Sequence, residues 1–244
     1  MSTSSDTTSD VQANLDAYWS GRAPEYDAYQ QRPERLELDR AAWGEVLTEA
    51  LPPAPAKVLD VGSGSGYVAF LLASLGYDVT ATDLAEGMLK VARARAAELS
   101  AQGVGVPEVL RADAVAPDFA PGSFDAITNR YVLWTLREPD TALANWRRLL
   151  KPGGVLVAID SNWFPEGLAA DTTEDFQDKY DDAVRAALPL AEARSMDPIV
   201  ERVRAAGFSE VTLTPLQRIL ELDREYGVAP NHEVQVQYLI RAVV

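Results

Sequence analysis

The chain has 244 residues, no cysteine and a formal charge of −15, from 22 basic and 37 acidic side chains. This length suffices for one α/β domain with a sizeable core, and the lack of thiols excludes disulfides, thiolate nucleophiles and zinc fingers. The acidic balance argues against a nucleic-acid substrate, because a phosphate backbone is held mainly by Lys and Arg; a small molecule is the expected partner.

Residues 2–10 are all Ser, Thr or Asp, the composition of a disordered tail. Residues 11–30 carry Tyr18, Trp19, Tyr26 and Tyr29 among polar neighbours. Residues 34–50 read as an amphipathic helix with Leu36, Trp43, Val46, Leu47 and Ala50 inward, ended by Pro52, Pro53 and Pro55. Strands then alternate with helices. Strands are expected at 57–61, 77–82, 106–111, 124–129 and 155–160, and helices at 67–75, 86–101 and 138–150. Lys151-Pro152-Gly153-Gly154 stops the last of these helices. Residues 161–195 break the rhythm, being acidic and helical in patches around 173–187. A helix at 197–206, a strand at 209–216 and a closing apolar run from Val234 to Val244 follow. The 217–233 connection shows no strong helical period, so a hairpin-like return and an antiparallel last strand are expected. The expected fold is α/β: a doubly wound, Rossmann-like, seven-stranded sheet with its last strand antiparallel. A helical lid (11–56), a core (57–160), a substrate-cap insert (161–206) and closing strands (207–244) make up the domains. No apolar run approaches the ~18 residues of a membrane span and no N-terminal apolar targeting segment is visible. A soluble cytoplasmic protein, monomeric or homodimeric and without a membrane partner, is expected.

The segment Lys57-Val58-Leu59-Asp60-Val61-Gly62-Ser63-Gly64-Ser65-Gly66 carries the most information. A buried strand runs through an acidic residue into three alternating glycines, which let the backbone turn and approach a ligand with no Cβ in the way. The dinucleotide fingerprint is G-x-G-x-x-G; here the third glycine comes one residue early. A phosphate loop would need Gly-Lys-Ser/Thr, which is absent. Asp60 would repel a pyrophosphate and suits a ligand carrying positive charge. The D-x-G-x-G-x-G pattern resembles motif I of class I S-adenosylmethionine (SAM)-dependent methyltransferases.

Further residues extend that pattern. Asp83 ends the second strand, where a carboxylate can accept the ribose hydroxyls or cap the next helix. Leu84 and Met88 follow, as adenine neighbours or ordinary core. Asp113 and Ala114 end the third strand, positioned for the adenine edge or as a turn. Asn129 and Arg130 end the fourth, beside the switch point where α/β sheets bind ligands; the Asn129 carbonyl suits an ammonium. Trp134 reads as helix core or pocket wall. Together, Leu59–Gly66, Ala81-Thr82-Asp83, Ala112-Asp113, Phe124-Asp125 and Leu150–Gly154 resemble successive class I methyltransferase motifs over 57–160. The chain is most similar to small-molecule enzymes of type 11. Trp19-Ser20-Gly21-Arg22-Ala23-Pro24-Glu25-Tyr26-Asp27 resembles their N-terminal W-x-x-R-A-x-x-Y-D signature. The resemblance implies a lid over the cofactor, with Tyr26 covering the methionine moiety and Arg22 reaching its carboxylate.

The aromatic faces of Tyr18, Trp19, Tyr26 and Tyr29 can favour a sulfonium by ~0.5–2 kcal/mol. Tyr29, Arg130, Trp134 and Trp163 are the expected acceptor contacts. Asp160, at the end of the fifth strand, and His232, the single histidine, are the candidates for a base, against the readings of a strand-end cap and a solvated loop side chain. The carboxylates from Asp171 to Asp182 read as a solvated helix face or an attraction for a cationic substrate. No metal-ligand spacing stands out. The expected activity is SAM-dependent methyl transfer to O, N or C of a small molecule, with specialised metabolism as the expected setting. Other SAM chemistry, such as cyclisation or aminocarboxypropyl transfer, and a non-catalytic SAM-binding regulator are the alternatives.

Overall fold

The structure, a computed structural model, describes residues 3–170, 173–229 and 233–244. Two helices come first, α1 (Thr3–Gln30) and α2 (Pro33–Ala50). The alternating core follows: β1 (Lys57–Val61), α3 (Tyr67–Ser74), β2 (Asp78–Asp83), α4 (Glu86–Ala101), β3 (Glu108–Arg111), β4 (Phe124–Arg130), α5 (Pro139–Leu149) and β5 (Leu150–Asp160). The chain continues through α6 (Glu174–Lys179), α7 (Asp182–Ala187), α8 (Asp197–Ala205), β6 (Ser209–Pro215), α9 (Gln217–Tyr226) and β7 (Tyr238–Val243).

The sheet order is β3-β2-β1-β4-β5-β7-β6. Strands β1 to β5 run parallel, and β7 is antiparallel to both β5 and β6, as expected. Parallel strands are covered on both faces and therefore read as continuous apolar runs. In β5, Val155, Val157 and Ile159 join the core layer with α2, α3 and α9, while Leu156 and Ala158 join the layer with α5 and α8. Strand order reverses between β1 and β4, which opens the ligand crevice at their carboxyl ends. None of the described helices is long and apolar enough to cross a membrane.

Four expectations differ from the structure. Helix α1 begins at Thr3, inside the stretch read as a disordered tail, because a helix nucleated at 11–30 extends at little cost per residue. Strand β5 starts at Leu150 and absorbs the Lys151–Gly154 turn through a register shift opposite Phe124 and Ala126. The 217–233 connection contains α9, a full helix. Its buried row is Leu216, Ile219, Leu220 and Asp223, a helical spacing with a carboxylate in one apolar place. That acid hid the period; Arg35 Nη2, 2.6 Å from Asp223, neutralises it. Lastly, α8 packs into the sheet layer through Ile199, Val200 and Val203, so the insert over the site is built from α6 and α7 and ends well before residue 206.

Candidate active site

Gly62 ends β1 with φ +64, and a Cβ there would lie 2.5 Å from Val132 Cγ2. Only glycine fits, so the turn can pass directly beneath the loop after β4. Asp60 sits just before it and is 1% exposed. One of its oxygens accepts a hydrogen bond from Thr128 Oγ1 on the neighbouring strand at 2.7 Å; the other, Oδ2, has no partner. Burial pushes the Asp60 pKa up to about 7, against the opposing pull of Thr128 and Arg130. Asp83 closes the turn from the side, accepting the Gly64 N–H on Oδ2 and the Ala85 N–H on Oδ1, both at 2.8 Å. Burial raises its pKa, and these N–H donors oppose the rise.

A cavity of about 140 Å³ lies over this turn. Asp60, Gly62, Gly64, Asp83, Leu84, Met88, Asp113 and Ala114 all line it. Sequence reading named these eight. It missed Ser63, whose buried hydroxyl has no partner, and Arg137, 3.2 Å from Asp113 Oδ2. Ser63 lay within the glycine motif and was legible by position; Arg137 arrives from the far side of the β4 loop and carried no local signal.

A second cavity, of about 540 Å³, lies beside the first. Tyr29, Trp134 and Trp163 line it, with Trp43, Tyr67 and Phe164. Trp19, Tyr26, Gln30, Arg130 and Tyr131 line both cavities. Tyr131 adopts φ +64, a left-handed backbone that is strained for a tyrosine. Its hydroxyl donates to Gln237 Oε1. Gln237 Nε2 donates to Asp223 at 2.9 Å, and Asp223 pairs with Arg35, which also holds Asp39 at 2.8 Å. This chain of contacts ties the site floor to α2 and α9.

The remaining expected site residues lie elsewhere. Tyr18 is 7% exposed and packs edge-on against Trp19, Phe176 and Tyr180, in the apolar contact of α1 with α6 and α7. Arg22 lies over the Tyr18 ring at 5.5 Å and lines neither cavity. Asn129 is fully buried and lines neither; the structure shows no partner for its side-chain amide. Asp160 is also fully buried and lines neither cavity. It accepts N–H bonds from Trp163 Nε1, from Ser161 at 2.9 Å and from Trp134 at 3.3 Å. Burial pushes its pKa to about 7 while those donors favour the carboxylate. Asp160 therefore holds two tryptophans of the second cavity, Trp134 and Trp163. His232 lies outside the described residues.

The geometry can be set beside known proteins. The sequence profile of a family described as "Methyltransferase domain", type 11, matches residues 59–158. A demethylmenaquinone methyltransferase of Renibacterium salmoninarum is 32% identical over 190 residues, covering 75% of this chain and 73% of that protein. The chain belongs to the class I SAM-dependent methyltransferases. A ubiquinone biosynthesis O-methyltransferase of Xanthomonas axonopodis is 36% identical over 153 residues, 62% of this chain and 59% of that protein's length. A SAM-dependent methyltransferase structure from Aquifex aeolicus superposes with TM-score 0.60 at 22% identity, covering 92% and 98% of the two chains, and shares the fold. The methyltransferase's cosubstrate is SAM, and the first cavity fits it chemically: Asp60, with an unpartnered buried carboxylate oxygen, lines it beside Gly62 and Gly64, and a Cβ at residue 62 would run into Val132.

Proposed function

We propose that the enzyme transfers the methyl group of SAM to a planar, ring-bearing small molecule held in the second cavity, within a soluble cytoplasmic protein. The wall shared by the two cavities carries this reading, for it is where donor and acceptor would meet. When bound, SAM supplies a methyl group on a positively charged sulfur. Asp60 would hold its positive end, and the turn at Gly62 and Gly64 would accept its close approach. Each Asp83 oxygen has spare acceptor capacity for a ribose hydroxyl beyond its backbone N–H. Leu84 and Met88 would flank the adenine, and Asp113 with Ala114 would meet its edge.

Transfer needs the nucleophile in line with the breaking S–CH₃ bond, at ~3–3.5 Å. Trp19 and Tyr26 stand on α1 above the shared wall, where aromatic faces favour a cation. Helix α1 would serve as lid, and the α6–α7 segment as cap. Two carboxylates of the second cavity, the half-buried Asp39 and the buried Asp223, are taken by Arg35. The acceptor would therefore arrive already nucleophilic rather than be deprotonated by either. The names of the matched relatives, which refer to demethylmenaquinone and ubiquinone biosynthesis, are consistent with a ring-bearing acceptor.

The test is incubation with SAM and a panel of phenols, quinols, heteroaromatic acids and aliphatic amines, with S-adenosylhomocysteine and the methylated product followed by mass spectrometry. Turnover of a ring-bearing acceptor is expected. Turnover confined to aliphatic amines would refute the reading.

A further inference from the structure

Arg130 is a half-buried cation at the cavity wall, with no acidic partner within ion-pair distance among the described residues. Its guanidinium carbon lies 4.6 Å from the Tyr131 ring centre, 4.9 Å from that of Tyr67 and 5.4 Å from that of Trp43. Arg130 and Tyr131 line both cavities, while Trp43 and Tyr67 line only the second, so the charge is within reach of the acceptor side. Rings attract the face of a guanidinium but leave its planar fork of N–H donors unused. Its hydrogen bond to the Tyr131 hydroxyl is a long one, 3.5 Å from Nη1.

The acids around it are committed or remote. Asp223 and Asp39 are held by Arg35 at 2.6 and 2.8 Å. Glu166 and Glu233 are exposed at the rim. Asp60 feels the charge of Arg130 but forms no ion pair with it, and it lines the first cavity and not the second. A second group in the cavity is also unmatched: the Tyr67 hydroxyl has no partner, although the residue is only 8% exposed. A guanidinium fork at a cavity wall matches a carboxylate in shape as well as charge.

We propose that Arg130 receives the carboxylate of the methyl acceptor, with the Tyr67 hydroxyl as a second donor, so that the enzyme selects planar carboxylic acids. The proposal rests on the methyl-transfer reading above and names its substrate class. The carboxylate has two possible sources, the acceptor or the amino-acid end of the methyl donor, and the experiment separates them.

Isothermal calorimetry would be run on the wild type, Arg130→Gln, Arg130→Lys and Tyr67→Phe. S-adenosylhomocysteine is titrated first. Benzoate, 4-hydroxybenzoate and indole-3-carboxylate, each paired with its amide, are then titrated into the loaded protein. The wild type should bind at least one acid about tenfold more tightly than its amide, the scale of a charged hydrogen bond. Arg130→Gln should erase that preference while leaving the S-adenosylhomocysteine affinity within about twofold, and Arg130→Lys should restore part of it. Tyr67→Phe should weaken the acid several-fold and spare the amide; it serves if Arg130→Gln does not fold. A roughly tenfold loss of S-adenosylhomocysteine affinity in folded Arg130→Gln, with acid binding unchanged, would assign the guanidinium to the donor and overturn the proposal. Acids and amides binding alike, or neither binding, would overturn it as well. Acid preference without methyl transfer from SAM would instead overturn the methyl-transfer reading and leave this site standing.

Discussion

Asp60 carries opposing demands of folding and binding. Burial holds its pKa at about 7, far above the ~3.9 of an unfolded aspartate. Between those values the native state keeps a proton that the unfolded chain has lost. This group's contribution to stability is therefore full below about pH 4, declines as pH rises, and is gone above about pH 7. Asp160, also pushed to about 7, and Asp83, also raised, slope the same way. Asp60→Asn should remove its own share of the slope and raise the melting temperature of the ligand-free protein at pH 8. The same change should weaken SAM binding by about tenfold or more, because a charge-assisted contact is lost. A cationic ligand favours the carboxylate, so binding near pH 7 should release a proton. Calorimetry in buffers of different ionisation enthalpy would detect it, and no proton release in the wild type would count against Asp60 as the contact. Asp83 differs. Asp83→Ala would strand the Gly64 and Ala85 N–H groups, each costing about 1–3 kcal/mol if left buried without a partner. Its loss of SAM affinity must be read beside a urea denaturation curve. That Asp60, Asp83 and Asp113 share one cavity was legible because strand ends and glycine turns are local patterns. The surroundings of Tyr18 and Asp160 were not legible, because partners more than a hundred residues away (Phe176 and Tyr180) in one case, and nearby N–H groups gathered by a loop in the other, decide what they touch.

At the scale of elements, α1 is held by a contact no periodicity reveals. Pro24 lies inside α1 and has no N–H to give the Ser20 carbonyl one turn earlier. That freed carbonyl lies against Gly87 in the first turn of α4: a Cβ at residue 87 would be 2.4 Å from Ser20 O. The Ser20 hydroxyl accepts the Gly87 N–H at 3.1 Å, satisfying an N-terminal donor of α4 from another helix. Arg95 adds an ion pair to Asp27 at 2.7 Å, both half-buried. Gly87→Ala should therefore lift α1, although alanine is the better helix former by about 1 kcal/mol. Turnover at low SAM should fall severalfold while the melting temperature changes little, and amide exchange along α1 should speed up. Unchanged exchange would mean that α1 does not depend on this contact. Element types and order could be read from the chain because buried parallel strands and glycine stops leave strong marks. Helix α9 could not, since Asp223 interrupts its apolar row and only Arg35, 188 residues away, explains the exception.

Across the whole molecule, the apolar interior divides into separate bodies. Two layers sandwich the sheet, one with α2, α3 and α9 and one with α5 and α8. A third cluster joins Val11, Leu15 and Tyr18 of α1 to Phe176, Tyr180 and Val184 of α6, α7 and the turn between them, with Trp134 beneath. Phe176 and Tyr180 stack at 4.1 Å, and Trp134 stacks on Tyr180 at 5.9 Å. The sheet layers therefore do not need α1 to be complete, whereas the roof of both cavities does. Removing residues 1–30 should leave cooperative unfolding of the core, with a modest drop in melting temperature from the newly exposed apolar roof. A ligand that binds only the native state stabilises it by RT ln(1 + [L]/Kd), about 2.7 kcal/mol at a hundredfold excess over Kd. Without α1 the donor cavity loses Leu15, Asp16, Trp19 and Tyr26 from its wall. The shift in melting temperature produced by saturating S-adenosylhomocysteine in the full chain should then shrink to a small fraction at the same concentration. Differential scanning fluorimetry of both chains across a ligand series checks this directly. Equal shifts would mean that the β-strand ends alone bind the donor and that α1 serves the acceptor side. Collapse of cooperativity would mean that the roof and the sheet fold as one unit.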